Sequence, residues 1–213
     1  MFDQHGTTLA AVAHQRHVGP TGEIVWTIVV AGGSGTRFGG RKQYEMLGGR
    51  RVLDWSVQAA LAASAGVVVV VPADDAAREG GVAGGRTRSE SVRNGLAHVP
   101  DDATIICIHD GARPFADAVL FDRVIAAVTA GADAAVPGVP LTDTVKEIRS
   151  DGSVLSTPRR DTLRAVQTPQ AFRAAVVRAA HADAGDATDR SEEHTSELQS
   201  HHDLVCRLLL EKK

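Results

Sequence analysis

Arg37 and Lys42 stand with a cluster of glycines in "AGGSGTRFGGRKQY", residues 31–44. Gly32, Gly33 and Gly35 follow directly on the apolar, β-branched run 25–30. Glycine has no Cβ and tolerates positive φ, so a chain rich in it can close its backbone N–H groups around an anion. Arg37 offers a planar fork for two phosphate oxygens, and Lys42 a mobile point charge. A flexible turn with two solvated cations is the plain alternative. The spacing excludes the two commonest phosphate loops. Gly33, Gly35 and Gly39 read G-x-G-x-x-x-G, not the dinucleotide G-x-G-x-x-G. Gly35 and Gly40 have four residues between them, but Arg41 comes next and Gln43 follows Lys42, so the P-loop Lys and its magnesium hydroxyl are missing. The expectation is a phosphate-binding loop of a third design.

A second polar exit is "IHDGARP", 108–114, again directly behind an apolar run. Asp110 there reads either as a site carboxylate or as a helix N-cap. Arg113 is placed to brace its loop, and His109 to pack or hydrogen-bond locally. The nine His residues show no metal-ligand spacing.

The elements that must hold these groups alternate. Strands are expected at 25–30, 66–72, 104–110 and 133–141, and helices at 52–64, 87–99 and 117–131. Thr87 and Glu90 have capping-box spacing. Continuous apolar strands alternating with helices predict a parallel sheet covered on both faces. Ligands of such sheets lie beyond the carboxyl ends of the strands, where both polar exits fall. Residues 138–160 alternate like a hairpin turning at Asp151–Gly152, an arm outside the main sheet. Such an arm is marginal alone and would need a partner surface, which predicts a homodimer.

Length and charge fit this reading. The 213 residues suit one domain with appendages: a loose extension at 1–23, a domain over 24–189 and a separate tail over 190–213. A net charge of −3 argues against a general nucleic-acid binder. No apolar run has the length of a membrane span, and the N-terminus lacks a secretory pattern. Cys107 lies in an apolar strand and reads as a buried reduced thiol, in keeping with a cytoplasmic location.

Six motifs in order, "AGGSGTRFGGRKQY", "GGRTRSESVRNGL", "IHDGARPF", "VPLTDTVKE", "RDTLRAVQTPQAF" and "ATD", resemble the 2-C-methyl-D-erythritol 4-phosphate cytidylyltransferase family. The resemblance covers roughly 24–189. It implies an α/β, Rossmann-like nucleotidyltransferase fold of GT-A type, with a mostly parallel central sheet, helices on both faces and a protruding β-arm that forms a homodimer. It also implies transfer of a cytidylyl group from CTP to 2-C-methyl-D-erythritol 4-phosphate, with Mg2+ and release of pyrophosphate. By this resemblance Arg37, Lys42 and Arg160 are catalytic. Ala31, Gly32, Gly33, Gly35, Gly85, Arg86, Ser91 and Asp110 bind the nucleotide, with Asp110 also the candidate magnesium ligand. Thr144, Arg160 and Thr168 bind the alcohol phosphate, Arg160 reaching the neighbouring subunit's substrate. Arg159 is adjacent and leaves the register open by one residue.

Three departures stand out. Arg41 replaces the family's usual Pro before the Lys, which frees the backbone and predicts a looser loop. The opening "VAGGSGTR" carries an extra glycine, as in relatives that act on ribitol 5-phosphate, which keeps that substrate as an alternative. After "ATD" the expected strand and a substrate-positioning Lys are missing, and "RSEEHTSELQS" resembles a translated sequencing adapter. That tail predicts a damaged C-terminus, and an inactive nucleotide-binding relative is the third reading.

Overall fold

Six β-branched or aromatic residues, Val25–Val30, make β1, the centre of the sheet. The structure is a computed structural model that describes residues 22–33, 39–183 and the backbone of 206–210. In chain order the remaining strands are β2 (Met46–Leu47), β3 (Arg50–Arg51), β4 (Gly66–Val71), β5 (Val82–Ala83), β6 (Ile105–Asp110), β7 (Ala134–Pro140), β8 (Glu147–Ile148), β9 (Val154–Ser156), β10 (Arg164–Val166), β11 (Gln170–Arg173) and β12 (Cys206–Leu210). The helices are α1 (Val52–Ala63), α2 (Ala76–Glu79), α3 (Arg88–Leu96), α4 (Ala118–Thr129) and α5 (Ala174–Asp183), with single 3-10 turns at Lys42–Tyr44 and Arg160–Thr162.

β4 and β6 flank β1 in parallel, and β5 extends the sheet beyond β4. β11 lies antiparallel between β6 and β7. β10 pairs with β7 at Val166↔Gly138 and β11 at Ala171↔Ala135, so the two strands follow one another along a single edge of β7. β12 pairs in parallel with the other edge, Cys206↔Ala134 through Leu210↔Gly138. The expected absence of a strand after "ATD" is therefore corrected, although most of 190–213 lies outside the described residues, as does the extension 1–21.

Each face of the sheet carries its own core. α1 and α4 cover one, burying Leu53, Val57, Phe121 and Val124 against Val29, Val69 and Cys107. α3 and α5 cover the other, burying Val92, Leu96 and Val177 against Ile28, Val70 and Ile106. This is the doubly covered, mostly parallel sheet expected from the sequence. Cys107 is buried and free, and burial pushes its thiol up to about 12. Gly66 is required by contact: a Cβ there would fall 2.5 Å from the Trp26 ring. Among the described residues no helix is long and apolar enough to cross a membrane.

The arm is shorter than its sequence pattern. Residues 138–140 belong to β7, because Gly138, Val139 and Pro140 pair with β10. The hairpin itself is β8–β9, closed at Gly152 with φ +82°, where Asp151 accepts the Ser153 N–H. A glycine suits that left-handed turn position.

Candidate active site

Parallel pairing of β1 with β6 places Val30 beside Asp110, so the two polar exits leave the sheet side by side. Gly111 continues the contact, its N–H donating to the Val30 carbonyl at 2.8 Å. No side chain fits at that position. A Cβ would lie 2.8 Å from Ala31 Cβ and 3.0 Å from Leu53 Cδ1. Asp110 is not a helix cap, which corrects that alternative. α4 is capped by Asp117, whose carboxylate accepts the Leu120 N–H at 2.9 Å.

Two guanidiniums clamp the Asp110 carboxylate. Arg88 meets Oδ1 and Arg113 meets Oδ2, each at 3.0 Å. Arg113 also donates to Gln167, tying this loop to the segment between β10 and β11. Behind it, Thr168 Oγ1 accepts the Asp110 N–H at 3.1 Å and lies 3.0 Å from His109 Nδ1. His109 is fully buried, edge-on to Phe121, and burial pulls its pKa down to about 4. The imidazole is neutral at physiological pH, a packed positioning group as expected.

The glycine turn begins with Ala31, whose N–H donates to the Val70 carbonyl at 2.7 Å. Gly35 and Arg37 lie in 34–38, outside the described residues. Gly32 faces the β5–α3 segment: a Cβ on it would touch Ser91 Oγ at 3.4 Å, and one on Gly84 would meet Ser91 Oγ at 3.2 Å and Gly32 Cα at 3.4 Å. Gly33 has open space around it. The Gly32 and Gly84 backbones therefore lie in van der Waals contact. Gly85 N–H donates to Ser91 Oγ at 3.0 Å, and the Ser91 hydroxyl donates to the Thr87 carbonyl at 2.9 Å. Ser91 thus ties Gly85 to the start of α3 beside that contact. Thr87 caps α3 as expected, accepting the Glu90 N–H, but Glu90 reaches the Arg86 N–H at 2.6 Å. The Arg86 side chain itself is exposed.

Lys42 is exposed at the exit of the glycine turn, between two anchored neighbours. Gln43 is buried and donates to the Ala31 carbonyl at 2.9 Å and to Gly33 at 3.3 Å, stitching the turn's exit to its entrance. Arg41 pairs with Asp74 at 2.5 Å and with Asp75. Its guanidinium holds the turn's exit to the segment after β4, while residues 34–38 of the loop expected to be looser lie outside the described residues.

Thr144 and Arg160 stand at the base of the arm, both exposed. Arg160 donates to the Thr142 carbonyl at 3.0 Å, which brings it to the Thr144 loop, while Arg159 is occupied by Asp161 at 2.5 Å. Sequence reasoning passed over Arg88, Gly84, Gly111, Gln43 and the Arg41 partners. Only the GR-T-R and KQY runs carried a signal for any of them, in motifs already marked as polar exits.

Magnesium is commonly held by one or two carboxylates together with substrate phosphates. Asp110 fits that role for an ion that arrives with a triphosphate. Among the described residues no group of three or more acidic, His or Cys side chains forms a metal cage.

A parallel sheet with glycine-rich and acidic exits at adjacent strand ends, helices on both faces and an outlying arm defines an α/β nucleotidyltransferase fold. The solved 2-C-methyl-D-erythritol 4-phosphate cytidylyltransferase of Thermus thermophilus superposes with a TM-score of 0.71 at 29% identity, covering 89% of each chain. Residues 25–200 match the family described as IspD, 2-C-methyl-D-erythritol 4-phosphate cytidylyltransferase, and the chain belongs to this family. It is 45% identical over 170 residues to the protein of that name from Frankia casuarinae, across 74% of this chain and 64% of the relative. It is 42% identical over 185 residues to the bifunctional enzyme IspD/IspF of Solidesulfovibrio magneticus, across 75% of this chain and 46% of that protein. The matched stretch thus spans less than two thirds of either relative's length.

Proposed function

We propose that this chain transfers a cytidylyl group from CTP to 2-C-methyl-D-erythritol 4-phosphate, forming the cytidine diphospho-alcohol and pyrophosphate. The observation that carries the reading is the pairing of Val30 with Asp110, which sets the glycine turn beside the clamped carboxylate. A phosphate oxygen of the alcohol phosphate attacks the α-phosphorus of CTP, and the bond to the pyrophosphate oxygen breaks. Such a reaction needs positioning and charge neutralisation more than covalent help from the protein.

The residues divide this work. Gly85, Arg86 and Ser91 receive the base, with Ser91 Oγ holding the Gly85 N–H. Ala31, Gly32, Gly33 and Gly35 wrap the triphosphate, and Arg37 and Lys42 neutralise it. Asp110, fixed by Arg88, Arg113 and Thr168, orients the ribose and offers an oxygen to Mg2+. The ion would add positive charge on the phosphates. Thr144 and Arg160 receive the alcohol phosphate from the arm. Thr168 acts through Asp110, since its hydroxyl is held by Asp110 N–H and His109.

The arm favours a homodimer. Ile148 and Val154 are 64% and 54% exposed, and Leu155 is half-exposed beside them. An apolar face on a two-stranded hairpin is suited to burial against a second copy. A chain with reduced Cys107 and this substrate chemistry fits a cytoplasmic location.

The test is pyrophosphate release from CTP and Mg2+, with methylerythritol phosphate and ribitol 5-phosphate in parallel. Release with the first at a kcat/KM at least tenfold above the second is expected, on the order of 1.4 kcal/mol of discrimination. Preference for ribitol phosphate, or silence with both, overturns the reading.

A further inference from the structure

The four residues 41–44 are fixed on every side but one. Arg41 reaches out to Asp74 at 2.5 Å and to Asp75. The Asp75 side chain is only 4% exposed, and Arg78 meets its other oxygen at 2.8 Å. Gln43 turns the opposite way, into the carbonyls of Ala31 and Gly33. Tyr44 lies against two guanidiniums, Arg78 at 5.3 Å and Arg51 at 5.8 Å from the ring centre. Those arginines are themselves held by Glu79, at 3.1 and 2.7 Å, and Glu79 is nearly buried. The backbone closes on itself, with Tyr44 N–H donating to the Arg41 carbonyl at 2.9 Å and Glu45 N–H to the Lys42 carbonyl at 3.2 Å. Val52 N–H then bonds the Glu45 carbonyl, joining the turn to α1.

This arrangement leaves Lys42 as the residue of the turn that faces outward. The distance a lysine ammonium can cover is set by its flexible stem, so its useful position depends on where the backbone starts. Two buried carboxylates, Asp75 and Glu79, hold three arginines around the turn. Buried charges of that kind persist when each is paired. A plain solvent-exposed turn would need none of them.

We infer that Arg41 is a positioning residue: through Asp74 and Asp75 it latches the exit of the glycine turn to the segment after β4 and so fixes the point from which Lys42 reaches the triphosphate. The inference rests on the reading of Lys42 as a triphosphate ligand. It assigns no contact between Arg41 and substrate. Misplacement by about an ångström is enough to cost on the order of a hundredfold in rate when reacting groups are prearranged, so a partly loosened turn should lose less than that.

Two measurements on the full chain test the latch. The first is amide hydrogen exchange across 41–52. Arg41→Ala should speed exchange at Tyr44, Glu45 and Val52 about tenfold or more, because local opening governs protection. Arg41→Lys should restore most of the protection. The second is steady-state kinetics. Arg41→Ala should lower kcat roughly tenfold, with KM for the alcohol phosphate unchanged within about twofold, as expected when a transition-state contact alone is lost. Asp75→Asn should give the same loss, and the double variant should be no slower than the slower single variant, since the two side chains act as one unit. If Asp75→Asn does not fold, the exposed Asp74→Asn replaces it, with a smaller loss expected. Unchanged exchange in Arg41→Ala, or losses that multiply in the double variant, overturns the inference. If the wild-type chain releases no pyrophosphate, the functional reading fails, while the exchange result still decides the latch.

Discussion

The turn at 41–44 and the arm at 147–156 are both short, and both carry residues assigned to substrate, yet they are held in opposite ways. Around Lys42 the chain provides its own partners: a buried glutamine amide, three arginines and two buried carboxylates drawn from three segments. The arm's bonds are local. Ser156 donates to Glu147 at 2.7 Å and Lys146 to Thr157 at 2.8 Å, both exposed. Its apolar residues Ile148, Val154 and Leu155 face outward. The turn at Lys42 is therefore anchored by contacts within the chain, whereas the arm leaves apolar residues exposed, as the proposed homodimer would require. Charge on phosphate is best met by groups that do not reorganise during the reaction. A surface that assembles two copies has to stay accessible until they meet.

Replacing Lys42 by Ala is the strongest way to break the comparison. It should cut kcat by roughly a hundredfold to a thousandfold, the scale of losing one preorganised charge contact, with Tm nearly unchanged. Pyrophosphate release and a thermal melt measure both. Retained turnover would separate the anchored turn from the chemistry.

The next effect belongs to the floor of the site. The folded His109 titrates near 4 instead of its ordinary 6.5, because burial disfavours the charged form. Between those values the unfolded chain binds a proton that the folded chain does not. Stability is therefore fully present above about pH 6.5 and falls as pH drops toward 4, by about 3 kcal/mol in all from this one group. Denaturant titrations from pH 7 to 4 should show that slope, and His109→Asn should flatten it by about one proton. An unchanged slope would remove His109 as its source.

Gly111→Ala probes the seam between the two exits. The added methyl meets Ala31 Cβ and Leu53 Cδ1 inside a packed core, so a loss of about 1–3 kcal/mol in unfolding free energy is expected. Wild-type stability there would show that the exits tolerate separation.

The smallest stability effect should come from the arm. Leu155→Glu at this exposed site should shift the stability of the single chain by no more than about 0.5 kcal/mol. It should nevertheless convert a dimer to monomers in sedimentation velocity and weaken use of the alcohol phosphate more than CTP binding. A dimer that survives the substitution would move the interface elsewhere.

Much of the fold was legible because its signals are local. The runs 25–30, 66–71 and 105–110 are continuous and β-branched, and each became a parallel strand. Thr87 and Asp117 sit where caps start helices, and both accept the expected N–H. β10, β11 and β12 were not legible as strands. Their sequences are short, and their places are set by edges of β6 and β7 that lie far away in the chain. Arg41 is the sharpest case. Read locally, it removes a rigid proline and loosens a loop; in three dimensions it finds Asp74 and Asp75, which lie more than thirty residues on.

By itself the sequence determined the chemistry available to this protein: a glycine turn with Arg37 and Lys42, an acidic exit at Asp110, and an arm that turns at Gly152. Those choices follow from residue type and from the φ, ψ and charge each type permits. Only the tertiary structure decided which groups meet. It set Asp110 between Arg88 and Arg113, packed Gly32 against Gly84, buried His109 as a neutral imidazole and latched Arg41 to the segment after β4. The reason is physical. Strand register, burial and ion pairing are properties of pairs of segments, and no single segment of the chain contains them.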